Sequence, residues 1–134
     1  MPLALFILVG LAVLMATMIR FTSHQHTSMV FNALSSQAFY AADSGVEYAA
    51  HKVVSSSSEA ETNSCLLINE HVIEYDVEGL SGCRVLLQCG DRDDHYMLYS
   101  LGECGRNQLL AQRKITIKID KTDLQIRTWQ ESSL

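Results

Sequence analysis

The chain has 134 residues, a formal net charge of −5 at pH 7 and 48% hydrophobic residues. Residues 55–134 carry the whole charge imbalance, with eight basic and thirteen acidic residues, because residues 1–54 hold two of each sign. An acidic surface repels phosphate backbones, so the composition argues against a nucleic-acid partner.

The first nineteen residues, MPLALFILVGLAVLMATMI, contain no charged side chain. At a rise of about 1.5 Å per residue, a helix of this length can cross a hydrocarbon core about 30 Å thick. We therefore expect a transmembrane helix over residues 1–19. No basic residue precedes the apolar run and no A-x-A site follows it, so cleavage as a secretory signal is not expected.

Between Arg20 and Val54, apolar residues recur every three or four positions, which predicts a helix with one narrow apolar stripe. The stripe is mostly alanine, and small residues let helix backbones approach closely. We expect residues 1–54 to form one helix, whose amphipathic lower half (20–54) packs on other helices or on this chain's own C-terminal domain. The residues predicted to pack or assemble are Leu3, Leu5, Gly10, Leu14, Phe31, Leu34, Ala38, Ala42, Gly45, Val46 and Ala49.

A polar run without periodicity, residues 55–64, predicts a linker before a small domain at residues 65–134. In this domain, alternating apolar residues predict short strands, and GLSG (79–82) and DRDD (91–94) supply turns. The fold class expected is α+β, in which the long N-terminal helix packs on a small antiparallel sheet. The predicted strands are Val72–Val77, residues 83–89, Tyr96–Leu98, Lys114–Asp120 and Leu124–Thr128.

The cysteines all lie in the C-terminal domain and predict two disulfides formed in an oxidising compartment. They are Cys65, Cys83, Cys89 and Cys104. At the two ends of one strand, Cys83 and Cys89 would lie ~20 Å apart, whereas a bridge needs Cα atoms within ~7 Å. Two pairings stay open: 65–83 with 89–104, or 65–89 with 83–104. Short loops between neighbouring strands favour the first.

Patterns for metal binding or catalysis are weak. His24 and His26 would point to different sides of a helix, so they cannot share one ion through that helix. Asp91, Asp93 and Asp94 could hold calcium, but the glycine and the closing glutamate of an EF-hand are missing. The sequence contains no C-x₂₋₄-C zinc pair, no G-x-S-x-G and no H-E-x-x-H. We expect no metal, no cofactor and no enzymatic activity.

A run of small residues, AFYAADSGVEYAA (38–50), joins the apolar helix to the cysteine-bearing strand domain. This arrangement resembles the minor pilins and pseudopilins of type IV pili and type II secretion. The order of CRVLLQC (83–89), YSLGECG (99–105) and AQRKITIKI (111–119) is similar to biogenesis proteins of mannose-sensitive haemagglutinin (MSHA) pili. The resemblance covers nearly the whole chain.

The resemblance implies a type IV pilin-like fold and a structural subunit needed for assembly of an MSHA-type pilus. Before assembly the subunit would cross the inner membrane once, with its C-terminal domain in the periplasm. After assembly its helix would pack into a cell-surface pilus. The implied partners are other pilin and minor pilin subunits, the inner-membrane assembly machinery and the lipid bilayer.

Two departures from the family pattern are relevant. The basic leader ending in glycine is absent, so either Met1 begins the processed form or the true start lies upstream. Major pilins have glutamate at the fifth mature position, whereas Leu5 stands there when counting begins at Met1, and no acidic residue precedes Asp43. Pseudopilins at a filament tip share this absence, so the resemblance suggests a tip or initiation role.

Other functions stay open. One is a bitopic inner-membrane envelope protein whose periplasmic domain binds a partner and never enters a filament. Another is a pseudopilin of a type II secretion system, and a third is a small periplasmic hydrolase on a membrane anchor.

Overall fold

The computed structural model describes the backbone of residues 2–56, 65–107 and 109–133, and the side chains of these residues except at positions 2–3, 20–27 and 133. Most of the predicted linker therefore lies outside the described residues. The elements are helix α1 (Pro2–Ser56) and strands β1 (His71–Tyr75), β2 (Cys83–Asp91), β3 (His95–Arg106), β4 (Leu109–Asp120) and β5 (Ile126–Ser133). The chain divides into two compact units, unit 1 (Met1–Ala33) and unit 2 (Leu34–Leu134).

The predicted transmembrane helix is wrong. Within the described residues, no helix combines the length and the apolar character that crossing a bilayer requires. The predicted single-pass location in the inner membrane was inferred from that helix and is wrong for the same reason. The later location on a cell-surface pilus was predicted to follow membrane insertion and loses that support.

The predicted fold class is wrong as well. It required one long helix, with a transmembrane half (1–19) and an amphipathic half (20–54), to pack on the sheet as a single element. The break between the two units falls after Ala33, so the helical residues that share a compact unit with the sheet are those from Leu34 onward. Two parts of the prediction are confirmed. The sheet is antiparallel throughout, and the chain contains two disulfides.

The sheet is a meander in which each strand pairs with the next along the chain, in the order β1-β2-β3-β4-β5. The predicted alternation in β4 is confirmed, since Ile115, Ile117 and Ile119 are at most 1% exposed. In β2, Cys83, Val85 and Leu87 share the same buried face. One face of the sheet therefore packs inside unit 2, as the alternation predicted.

Residues 34–56 of α1, called here the lower segment, cover this buried face. Ala38, Ala42 and Ala49 of the lower segment belong to the same core cluster as Leu87, Leu98 and the isoleucines of β4. The Ser100 hydroxyl in β3 donates a 2.7 Å hydrogen bond to the Ala42 carbonyl oxygen. The bond satisfies a polar group that would otherwise be buried without a partner.

Two glycines allow the helix and sheet to approach closely. A Cβ atom built on Gly102 of β3 would overlap the Ala38 carbonyl oxygen and lie 2.7 Å from the Ala42 nitrogen. A Cβ atom built on Gly45 of α1 would lie 2.7 Å from the Ser100 hydroxyl oxygen. Gly102 is therefore required because the backbone of α1 lies directly against β3, and Gly45 because side chains of β2 and β3 pack against α1 at that position.

Candidate functional site

The largest exposed apolar feature of the described chain lies on α1 within unit 1. Its side chains are between 50% and 85% exposed, and no charged residue lies among them. Monomeric proteins rarely leave a large contiguous apolar patch in water, so such a patch marks an interaction site. We call it the apolar α1 surface; it consists of Leu5, Phe6, Ile7, Leu8, Val9, Leu11, Val13, Leu14, Met15, Met18 and Ile19.

The predicted assembly residues are split between the two units. In unit 1, Leu5, Leu14 and Phe31 are 66%, 62% and 48% exposed. Gly10 lies on the same stretch of helix with open space around it, and the Leu3 side chain lies outside the described residues. The described members, Leu5, Gly10, Leu14 and Phe31, are accessible to a partner.

The other predicted assembly residues belong to unit 2. Ala38, Ala42, Val46 and Ala49 are at most 3% exposed, while Gly45 is buried and Leu34 packs partly buried against the core. A side chain without exposed surface cannot contact a second subunit. These residues pack on the chain's own sheet, which is one of the two alternatives left open by the sequence.

The two disulfides are Cys65–Cys89 and Cys83–Cys104, with Cα atoms 5.2 and 4.2 Å apart. The pairing favoured from the sequence, 65–83 with 89–104, is wrong. In the register of β2 with β3, Cys83 lies directly opposite Cys104, whereas Cys89 lies opposite Leu98. Alternation identified the face that the cysteines share, but it could not give the register between the strands.

A polar cleft lies beside the Cys83–Cys104 disulfide, at the end of the sheet where β2 begins and β3 ends. Its volume is about 680 Å³, and its lining includes Glu74, Asp76, Arg84, Glu103 and Arg106. Arg84 Nε lies 2.6 Å from a Glu103 carboxylate oxygen, and Gln112 donates a hydrogen bond to the other oxygen. The described residues that line the cleft include no serine, histidine or lysine. The cleft can pair with charged groups of a partner, but it presents no nucleophile–base pair.

Sequence analysis did not single out Arg84 and Glu103. Their positions on the face of the sheet opposite the core follow from alternation, because each adjoins a buried cysteine in its strand. Their pairing follows from the register, which places the two residues directly opposite each other.

At the other end of the sheet, two of the acidic residues considered as calcium ligands, Asp91 and Asp94, bond to neighbouring side chains. Asp91 lies 2.5 Å from Lys121 Nζ, and this hydrogen bond raises the pKa of Lys121. Lys121 also lies 4.8 Å from the centre of the Tyr96 ring. The His95 side chain bonds Asp94 and lowers the pKa of that carboxyl. In the part of the chain that is described, no group of three or more metal-ligating residues converges; the side chains of His24 and His26 lie outside it.

A further group that sequence analysis missed joins β4 and β5 to the lower segment of α1. The Phe39 ring contacts Tyr40 and Trp129 edge to face, with centroids 5.6 and 6.2 Å apart. Arg113 donates hydrogen bonds of 3.0 and 2.7 Å to the Ser35 hydroxyl. Strand β5 was predicted to end at Thr128, and for that reason Trp129 was not assigned to the sheet.

The chain was compared with models of known protein families, with curated proteins and with solved structures. None of the three comparisons finds a match. The apolar α1 surface is therefore the feature from which function is best argued.

Proposed function

We propose that this chain is a structural, non-enzymatic subunit of a type IV pilus of the MSHA class, a minor pilin-like component that joins other subunits through the apolar α1 surface. The observation that carries the proposal is the exposure of Leu5 to Ile19, where eleven large apolar side chains are at least half exposed. A helix that is apolar on all sides is stable when other apolar groups surround it. Equivalent helices of neighbouring subunits supply such surroundings.

The energy available to this contact is large. Complete burial of one Leu, Ile, Val, Phe or Met side chain contributes about 1.5–3 kcal/mol. Part of that energy offsets the loss of translational and rotational freedom on association, which costs on the order of 4–15 kcal/mol. Burial of several side chains of the apolar α1 surface is therefore sufficient for stable association.

Unit 2 fits the role of a compact head carried by such a subunit. Its core lies between the lower segment of α1 and one face of the sheet, and two disulfides connect its strands and the segment before β1. Disulfides are typical of small domains that function in oxidising surroundings. The polar cleft beside Arg84 and Glu103 offers charged groups to neighbours without a catalytic arrangement.

We further propose that the subunit acts at the tip or during initiation. No acidic residue lies between Pro2 and Ala42, so this part of α1 offers no carboxylate to the amino terminus of a subunit stacked above it. A subunit at the tip needs no such contact. A copy number per filament comparable to that of the major subunit would contradict this role.

The test is incorporation into filaments. Filaments sheared from cells should contain the chain, detected by mass spectrometry. Leu14→Glu should abolish its incorporation, because the glutamate would be buried among apolar side chains without a partner. Gln88→Glu adds the same charge on an exposed position of β2 and should leave incorporation unchanged. Absence of the native chain from sheared filaments, or normal incorporation of Leu14→Glu, would refute the proposal.

The same surface would serve a pseudopilin of type II secretion. Deletion of the chain distinguishes the two assemblies. Loss of surface filaments with normal secretion of exoproteins supports the pilus, whereas the opposite result assigns the chain to the secretion system.

A further inference from the structure

Strand β5 is an edge strand of the sheet. Among the described strands it pairs with β4 alone, so alternate N–H and C=O groups along its other side have no strand partner there. The pairing with β4 is regular from Thr128 to Ser133, because the register shift falls between Lys118 and Ile119. A row of backbone groups of this kind can pair with one more extended segment.

The usual protections of an edge strand are weak in β5. Proline and lysine often block pairing at a sheet edge, and the sequence of β5, IRTWQESS, contains neither. Its one arginine, Arg127, is held by Asp120 and Asp123 through contacts of 3.4 and 2.6 Å. The other edge differs, because β1 spans only five residues, His71–Tyr75, and a short edge strand offers few groups for pairing.

The side of β5 that faces α1 carries side chains that an added strand would contact. Trp129 lies opposite the buried Ile117 of β4, so it stands on the core side of the sheet. Glu131, two residues further on, stands on the same side. Trp129 is nevertheless 46% exposed, and Tyr40 of α1 is 63% exposed. A groove of about 270 Å³ lies beside them, with Tyr40 and Glu131 in its lining. Partly exposed Trp and Tyr side chains are typical anchors of a protein interface.

Accepting the proposed function, we infer that β5 pairs with an extended segment of a different pilus subunit, which adds a sixth strand to the sheet. In this mode of recognition, backbone hydrogen bonds supply affinity and alternate side chains supply specificity. The residues of β5 define the segment that fits. It places a large apolar side chain beside Trp129 and, two positions away, a lysine or arginine beside Glu131.

Charge complementarity determines the basic residue. The ion pair between Glu131 and Arg113 is long, at 3.4 Å, and the Glu131 side chain is 35% exposed. Arg113 instead donates its short hydrogen bonds to the Ser35 hydroxyl. The Glu131 carboxylate can therefore accept a closer, charge-assisted hydrogen bond from a basic side chain on an added strand.

Strand β5 of a second copy does not meet this requirement. On the core side, the regular part of β5 (128–133) offers Trp129 and Glu131 but no basic residue. Two such strands would therefore bring carboxylates together without a cation between them, and like charges opposite each other are destabilising. At a filament tip, moreover, the neighbouring subunits are of other kinds. The partner is therefore a different protein.

Photo-cross-linking of the full-length chain in the cells that produce it tests the inference. The photoreactive residue p-benzoylphenylalanine replaces Gln130, which lies on the outer face of β5, so Trp129 and Glu131 stay in place. Replacement of Val72, on the outer face of β1, is the matched control for the other edge. We expect a product with another pilus subunit in about tenfold higher yield from position 130 than from position 72, a difference of about 1.4 kcal/mol. Mass spectrometry should place the attachment in a segment with an apolar residue and a basic residue two positions apart.

A change of charge tests the specificity. With the photoreactive residue at position 130, Glu131→Gln should lower the yield about threefold. Glu74→Gln removes the same charge from β1 and should leave the yield unchanged. Glu131→Lys should lower the yield further, and exchange of the partner's basic residue for glutamate should then restore it.

Hydrogen exchange reports the backbone pairing directly. In the purified chain, the amides of β5 that point away from β4 have no partner strand and should exchange rapidly. In complexes isolated from the same cells, these amides should exchange at least about tenfold more slowly. The amides along the free side of β1 should exchange at the same rate in both samples.

The outcomes separate this inference from the proposed function. Equal yields from positions 130 and 72, unchanged exchange in β5, or a product made of two copies of this chain overturns the inference, whether or not sheared filaments contain the chain. A product from position 130 with a protein that is absent from filaments, in cells whose sheared filaments lack this chain, overturns the proposed function and the assignment of the partner to a pilus.

Discussion

The two parts of α1 that belong to different units contrast in the size and exposure of their apolar side chains. In unit 1 the large side chains are exposed, Phe6 by 85% and Leu14 by 62%. In the lower segment the buried positions are mostly small, with Ala38 and Ala42 wholly inaccessible. Hydrophobicity alone would therefore have identified the wrong part of the helix as the core.

The contrast shows that close packing, and not the size of each side chain, determines which part of the helix the domain buries. Alanine on α1 and glycine on β3 allow two backbones to meet, and many weak contacts are formed at once. Among the described side chains of unit 1, the large apolar ones from Leu5 to Leu14 are at least half exposed. We therefore expect substitutions in the lower segment and its sheet to change folding, and substitutions in unit 1 to change only association.

The largest expected effect is that of Gly102→Val. Because the added methyl groups would meet the backbone of Ala38 and Ala42, which cannot move without shifting the helix, we expect the free energy of unfolding to fall by on the order of 4 kcal/mol. Urea unfolding followed by fluorescence of Trp129, the sole tryptophan, measures it.

Two other glycines are the controls. Gly90→Val places its Cβ at an ordinary 3.8 Å from Met97, and Gly10→Val meets nothing within 4 Å. Both should leave the Trp129 transition within about 1 kcal/mol of the native protein. A Gly102→Val protein as stable as these controls would show that the helix does not pack on β3 at this distance.

The next largest effect is expected from loss of a disulfide. Cys83→Ala with Cys104→Ala opens a loop with a sequence separation of 21 residues. On the chain-entropy estimate, this costs about 3 kcal/mol of unfolding free energy. The Cys65–Cys89 bridge, with a separation of 24, should contribute a similar amount. Mass spectrometry of an unreduced digest checks the pairing first, and a peptide linking Cys65 to Cys83 would contradict this structure.

A smaller effect is expected at Ser100. Ser100→Ala removes the hydrogen bond to the Ala42 carbonyl oxygen and should reduce the free energy of unfolding by about 1 kcal/mol. Ser100→Cys, which keeps a weak donor of similar shape, should cost less than alanine. Equal stability of Ser100→Ala and the native protein would mean that this bond adds nothing to the contact between the helix and the sheet.

The strands could be predicted wherever apolar and polar residues alternate, and their ends could not. Ile115, Ile117 and Ile119 alternate cleanly, and β4 was found there. Strand β3 was predicted over three residues but runs from His95 to Arg106, because Ser100 and Gly102 on its buried face are not apolar side chains. They are required by contacts with the helix, and a contact between distant segments leaves no periodic signal in either one.

The candidate sites show the same limit. Alternation placed Cys83 and Cys89 on one face, but only the register between β2 and β3 decides that Cys104 is the partner of Cys83. The alanine stripe was predicted to be a packing surface, and its composition could not decide between the chain's own sheet, where the alanines are buried, and another subunit. The apolar run of unit 1 was recognised because no charged residue interrupts it. What surrounds these side chains could not be predicted from the same pattern.

The smallest expected effect completes the contrast between the two parts of the helix. Leu14→Ala removes a large side chain that is 62% exposed, and it should change the Trp129 unfolding transition by less than about 0.5 kcal/mol. Val46→Ala removes fewer atoms, but from a side chain that is 3% exposed, and should cost about 2 kcal/mol. If Leu14→Ala destabilises unit 2 as much as Val46→Ala does, the leucine is buried by the chain itself and is not available to another subunit. If only Val46→Ala lowers the free energy of unfolding, Leu14 contributes nothing to folding. Its apolar surface is then free to be buried against another subunit, and that burial can contribute to association.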